Sequence, residues 1–573
     1  MKTPRWFNRN RFFSLVRIAI AGALFVLAGS MLSLGLSAAK VQAQNAQNTQ
    51  HAQNRVPTTH LTFNGVLGPL TQGADGTIPG HTTRNARGVI CSTSTSSAAN
   101  VNTDCEVDPH NETSIAINPT NSLNLIGSAN DYQENVSSGG TIYETLYSRA
   151  HVTFDGGQTW TTYAVPFNNY TSTGDPAVAF DADGRAYLAT LGFLWSQNRF
   201  CCTNPDVVVS HSTDDGVTWS KPTRVASGTG SFGSVGLFND KEFIAAWGHG
   251  NAIVTWTEFN DGIGGSYISS PIFASVTHDG GTTWSTPTEI SGSAAFCIGA
   301  QGGDACNQDQ GSVPAVAADG SIYVAFINFA EPTTTGRDQY LVIKVDPATG
   351  KSVAGPYRVG LVYDGSTDYP INIDGRQTYQ DSQFRTWAVG NIAADPTNAS
   401  HLAVVWSDMR NSTLPAPSDP YSATTNSDVI VSQSTDGGVT WSSPTAIAVS
   451  RDQFMPWGAY DSSGKLRIGY FDRSYDAANH KYGYTLATET SPGSLTFTTA
   501  QLTTTLSDPT MGDRWFSGRT PNPAFPHPTT FLGDYSGIAA TSGVAALWTD
   551  MRLNVCLTTR CGAGEDAFYA TAP

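Results

Sequence analysis

The sequence predicts an all-β chain in which seven four-stranded units close into a ring. Three observations predict it: an eight-residue turn motif that occurs four times, an alanine-bearing strand pattern that recurs seven times, and a last unit one strand short of the others. Four short strands separated by turn signals make one blade of a β-propeller. A six-bladed ring is the alternative count. Two β-sandwich domains are the rival architecture, but no Pro/Ser-rich linker interrupts the repeats.

The turn motif reads S/T-x-D-x-G-x-T-W at Thr153–Trp160, Ser212–Trp219, Thr277–Trp284 and Ser434–Trp441. Its Asp carboxylate accepts hydrogen bonds from N–H groups of its own turn, its Gly takes φ > 0, and its Trp returns into the sheet to cover apolar surface. The alanines are Ala116, Ala179, Ala245, Ala317, Ala393, Ala459 and Ala539, each on an alternating apolar segment. Blade four replaces the motif with the turn Val345 to Gly350, and blade six is degenerate around Glu489 to Phe497. Blade seven stops after its third strand, Asp566 to Thr571, so its outer edge needs a strand from elsewhere. His60 to Phe63, ahead of blade one, is the expected closure.

The N-terminus reads as an export signal. Lys2, Arg5, Arg9, Arg11 and Arg17 precede an apolar run from Ile18 to Leu36, and Val41-Gln42-Ala43 supplies small residues for cleavage. The expected organisation is a signal peptide over 1–43, a polar leader over 44–57 and one propeller domain over 58–573. The product is secreted or held at the cell surface; an uncleaved signal would be its one membrane anchor. Eight cysteines fall in short even spacings, which predicts the disulfides Cys91–Cys105, Cys297–Cys306 and Cys556–Cys561 and leaves Cys201–Cys202 as a strained vicinal pair. The formal net charge of −16 without a basic block makes nucleic acid a poor partner. No metal site or cofactor is expected, because Cys/His clusters of matched spacing, G-x-x-x-x-G-K-[ST] and H-E-x-x-H are all missing. The chain is expected to act as a monomer.

Counting strands outward from the axis, the loops from strand two to three and from blade to blade share one face, and they are long: Asp131 to Gly140, Phe259 to Gly265, Ser291 to Ser312, Asp364 to Gly390, Met409 to Asp428 and Leu506 to Gly533. Long irregular loops on a rigid scaffold are where binding and catalysis concentrate. Three Asp-Arg segments, Trp406–Arg410, Phe471–Arg473 and Trp548–Arg552, end on that face.

The repeated S/T-x-D-x-G-x-T-W motif resembles the Asp-box, or BNR, repeat of sialidases and related propellers. That resemblance implies the propeller fold and a glycan or glycoconjugate as partner. Because sialidases grip a substrate carboxylate with three arginines, it also invites that role for Arg410, Arg473 and Arg552, whose neighbours are Asp408, Asp472 and Asp550. The competing reading is that each Arg pairs with its own Asp and pins its loop. A sialidase-like enzyme would need a Tyr nucleophile, a Glu partner and an Asp acid/base; the candidates are Tyr535, Glu258, Asp131 and Asp534. The chain departs from the family in lacking an Arg-Ile-Pro tripeptide and in its seven units rather than six. Two functions follow: an exo-glycosidase on acidic sugars, or a non-catalytic propeller that binds glycan or protein through the same face.

Overall fold

Alternating apolar residues on short segments bounded by Gly, Asp and Asn turns leave the chain little choice but antiparallel sheet. The computed structural model describes residues 90–91, 100–104, 109–136, 142–196, 199–231, 234–329, 337–365, 368–373, 375–413, 419–447, 450–511, 527, 530–557 and 560–573. These residues form seven antiparallel sheets, each with a four-stranded path from its innermost strand outward. The innermost strands are His110–Ile117, Ser172–Phe180, Gly236–Trp247, Asp309–Val316, Asn391–Ala394, Gln453–Tyr460 and Gly537–Ala540. Each packs on the next and the last packs on the first, which makes the ring. Among the described residues one 3₁₀ turn, Pro509–Met511, is the only helical element, and no helix is long and apolar enough to cross a membrane.

An N-terminal strand closes the ring, at Val101–Asn102. It adds to Arg560–Ala572 with Val101 opposite Tyr569, and Thr103 continues the contact by donating both its N–H and its hydroxyl to the Ala567 carbonyl. The expected closing segment, His60 to Phe63, lies outside the described residues, and the edge it was meant to cover is taken by a segment that leads directly into blade one. The signal and leader residues and Cys105 also lie outside them.

The repeat register needs one correction. Ala179 pairs with Tyr187 and Ala315 with Tyr323, so the blade-four counterpart of the other alanines is Ala315, not Ala317. The A-x-D match at Ala317 was coincidental, because the turn there starts two residues earlier relative to its Asp.

Cores between blades are sealed by Trp160, Trp256, Trp406 and Trp548, all fully buried. The four octapeptide turns share one hydrogen-bond scheme. In the first, Asp155 accepts from the Thr159 N–H at 2.9 Å and the Thr159 hydroxyl at 2.6 Å, and Thr153 Oγ1 accepts from the Gly157 N–H. The same contacts recur at Asp214, Asp279 and Asp436. In blade six Glu489 takes over, accepting from the N–H groups of Leu466 and Leu495. Cys297 and Cys306 form a disulfide. Cys556 stands opposite Cys561 in the strand register, while the side chains of Cys91, Cys201, Cys202, Cys556 and Cys561 lie outside the description.

Candidate functional site

Four residues before each repeat alanine, the innermost strand reaches the long-loop side of the axis. In five blades this position interrupts the ladder, and its residue is left-handed: Glu112 (φ 56°), Asp175 (57°), Lys241 (53°), Gly311 (69°) and Met455 (48°). Blades five and seven carry Val389 and Tyr535 there. Gly311 adopts this backbone at no steric cost, whereas a non-glycine residue held there costs roughly 1–3 kcal/mol and persists only where the surroundings enforce it. Three such residues are charged, and their side chains meet.

Lys241 Nζ lies 2.8 Å from Glu112 Oε1, 2.9 Å from Asp175 Oδ2 and 2.9 Å from Asp534 Oδ2, and it sits over the Tyr535 ring. Arg385, from the long segment between blades four and five, donates through Nε to Asp534 Oδ1 at 2.8 Å and through its terminal nitrogen to Oδ2 at 2.5 Å. Asn130 donates to Glu112 at 2.7 Å and accepts from the Asp175 N–H, tying the first blade to the second. Gly533 (φ 84°) is required here, because a Cβ would lie 2.6 Å from the Glu112 backbone nitrogen.

Electrostatics divide these carboxyls into two groups. Burial and the Asp175 charge hold Glu112 well above the usual carboxylate range, with Lys241 offsetting only part. Burial raises Glu242 as well, and neither of its carboxyl oxygens has a hydrogen-bond partner. Asp240, on the partly exposed side, is pushed up to about 7 by burial and accepts from Gln310 Nε2 at 2.9 Å. Burial would raise Asp175 too, but the Lys241 ammonium and hydrogen bonds from Glu112 and Lys241 overcome it and keep the group ionised. Arg385 and Lys241 do the same for Asp534. Protonated and ionised carboxyls therefore stand side by side, the division general acid–base chemistry uses. Beside them Trp457 packs on Phe243 and Tyr535 and is partly exposed. A recess of about 10 Å³ is lined by Gln310, Arg376, Arg385, Trp387 and Asp534.

Of the four expected catalytic residues, Tyr535 and Asp534 stand in this cluster. Asp131 does not: it lies in the strand Leu125–Val136, opposite His110, in a second buried group with Asp104, Arg149 and His151. Glu258 is a strand residue of Asn251–Asp261 on the flank of blade three, where burial and the nearby Glu289 raise it to about 7. Both had been expected in or beside loops; apolar alternation carries the ladders further than the acidic residues suggested.

The arginines are committed elsewhere. Arg410 binds Asp408 through two nitrogens at 2.9 and 2.7 Å, and Arg552 binds Asp550 at 2.8 and 2.6 Å. Arg473, fully buried, takes the carbonyls of Gln380 and Asn479, the Ser382 hydroxyl and Asp452, while its neighbour Asp472 accepts from Gln453 and Thr485. Arg410 and Arg552 are bound by their own Asp, whereas Arg473 is bound by other segments and keeps its Nε buried without a hydrogen-bond partner. Reasoning from motifs missed Glu112, Asp175, Lys241, Asp240, Glu242 and Arg385. The signal for the first three was available: charged residues at one fixed offset from the repeat alanine.

No family model matches the chain, and no curated protein is recognisably similar to it. Among solved structures, a Dyadobacter fermentans protein of unknown function is 12% identical, with a TM-score of 0.40 over 70% of this chain and 94% of that one. The Hadza microbial sialidase Hz136 is 11% identical, with a TM-score of 0.40 over 90% and 98%. A Penicillium chrysogenum α-L-arabinanase is 10% identical, with a TM-score of 0.37 over 84% and 98%.

Proposed function

We propose that the chain is an exported, carbohydrate-active propeller that hydrolyses glycosidic bonds at the axial cluster. The observation that carries the reading is the convergence of Glu112, Asp175 and Lys241, charged side chains from three blades that meet in contact at one place. Glycoside hydrolysis needs one carboxylic acid and one carboxylate across the scissile bond. Asp240 supplies the acid, being partly exposed and raised to about 7. Asp175, partly exposed and held ionised by Lys241, supplies the carboxylate. Trp457 offers the aromatic face on which a sugar ring stacks. Tyr535 is a poor nucleophile here, since burial holds its phenol well above the ordinary value.

The charge balance supports a neutral sugar rather than an acidic one. Five carboxyls (Glu112, Asp175, Asp240, Glu242, Asp534) surround Lys241 and Arg385, both already spent on carboxylates, and Arg376 adds one further cation. An anionic sugar would meet Lys241 and Arg385 already paired with carboxylates. The Cys297–Cys306 disulfide supports export. The test is a panel of neutral and acidic aryl glycosides and polysaccharides, followed by aglycone or reducing-end release. Hydrolysis of a neutral member supports the reading. Binding without turnover, with Trp457 fluorescence quenched, would favour the non-catalytic alternative.

A further inference from the structure

The second buried group lies at the seam where the ring closes. Asp104 is two residues past the closing strand Val101–Asn102, His110 is on the innermost strand of blade one, and His151 is on that blade's third strand, Ala150–Thr153. All three are 0–1% exposed, and their candidate ligand atoms lie within 4.8 Å of one another. His110 Nε2 is 2.8 Å from Asp104 Oδ2 and 3.3 Å from Asp131 Oδ1, and His151 Nδ1 is 3.9 Å from the same Asp104 oxygen. Zinc held at about 2.0–2.2 Å by tetrahedral N and O ligands spaces those ligands about 3.3–3.5 Å apart, so the separations bracket what the ion requires. The two imidazoles stand edge to face, at 75° with centroids 5.8 Å apart. His110 Nε2, the nitrogen that faces Asp104 and Asp131, is buried and makes no hydrogen bond of normal geometry.

Asp104 and Asp131 face one guanidinium, Arg149, which binds Asp131 and stands 3.7 Å from Asp104, and zinc would take the place of the proton that His110 Nε2 shares with the two carboxylates. A donor set of two imidazoles and carboxylate without thiolate suits zinc better than calcium or magnesium, which take oxygen ligands throughout.

We propose that Asp104, His110 and His151, with Asp131 beside them, bind one zinc ion that fastens the N-terminal closing segment to blade one. Thr162 Oγ1, 3.0 Å from His151 Nδ1, turns away when the ion binds. The site is independent of the axial cluster, so its failure would leave the glycosidase reading untouched. The test is a zinc chloride titration of the full exported chain after chelator treatment. One equivalent should bind per chain, raise Tm and slow hydrogen exchange at Val101 to Thr103. His151→Gln should weaken zinc binding more than about a hundred-fold, because loss of an outer-shell partner alone costs about 10–100-fold. Wild-type protein that binds no zinc and gains no Tm would overturn the proposal, leaving His110 as an imidazolium between two aspartates. So would a His151→Gln protein that keeps both responses. If that variant does not fold, the wild-type stoichiometry and exchange decide.

Discussion

Replacing Lys241 with Met keeps the length of the side chain and removes the charge at the centre of the axial cluster. Glu112, Asp175 and Asp534 then lose an ammonium that each holds at 2.8–2.9 Å. Breaking a buried pair by removing one partner costs about 3–5 kcal/mol. Arg385 still serves Asp534, and Glu112 is already held protonated, so the loss falls mainly on Asp175 and the lower half of that range applies. For a domain of this size the unfolding entropy is roughly 1 kcal/mol/K, so Tm should fall by about 3–4 °C. Differential scanning calorimetry at pH 7 reads this directly. A Lys241→Met protein as stable as wild type would mean that the cluster is hydrated and its charges are only loosely coupled.

Other outcomes follow from the same geometry. Asp240 is raised to about 7, so its contribution to stability is complete below about pH 4 and is lost as pH rises to 7; Tm should decline over that window, and Asp240→Asn should flatten the decline. Asp175 and Asp534 are depressed and act in the opposite sense, contributing above about pH 4 and losing their effect below it. Arg410→Ala strands the fully buried Asp408 and should lower stability by about 3 kcal/mol, with kcat/KM on any substrate unchanged; intact stability with lost binding would restore Arg410 to a substrate role. Trp160→Ala should cost about 3–5 kcal/mol because the ring is fully buried, and Trp441→Ala less because its ring is only partly covered. Denaturant midpoints rank the two, and equal losses would contradict the burial argument.

The fold was legible because its signals are local. A turn that needs Asp at one place and Gly two later announces itself in every copy, and four copies with seven alanines leave one architecture. The closure was legible only as a need: a two-residue strand such as Val101–Asn102 carries no periodicity, so the longer His60 to Phe63 drew the assignment. The axial site was half legible. Tyr535 and Asp534 stood out in a Gly-rich loop, but Glu112, Asp175 and Lys241 are separated by more than sixty residues each and become neighbours only through the ring. Their shared offset from the repeat alanine was visible, yet their left-handed backbone was not, because nothing in Asn111-Glu112-Thr113 or Asp240-Lys241-Glu242 favours φ > 0. The arginine segments look alike in sequence but differ in space: Arg410 and Arg552 bind the Asp two residues before them, whereas Arg473 reaches Gln380, Ser382 and Asp452 of other segments.

The central claim is that the axial carboxyls carry chemistry, and the most direct measurement is kcat/KM for Asp240→Asn and Asp175→Asn against wild type on the best substrate of the glycoside panel. Removing a general acid or its partner carboxylate should lower kcat/KM by about 10²–10⁴-fold. Both variants retaining kcat/KM within twofold of wild type would place the reaction elsewhere on the propeller and reduce the axial cluster to a structural plug.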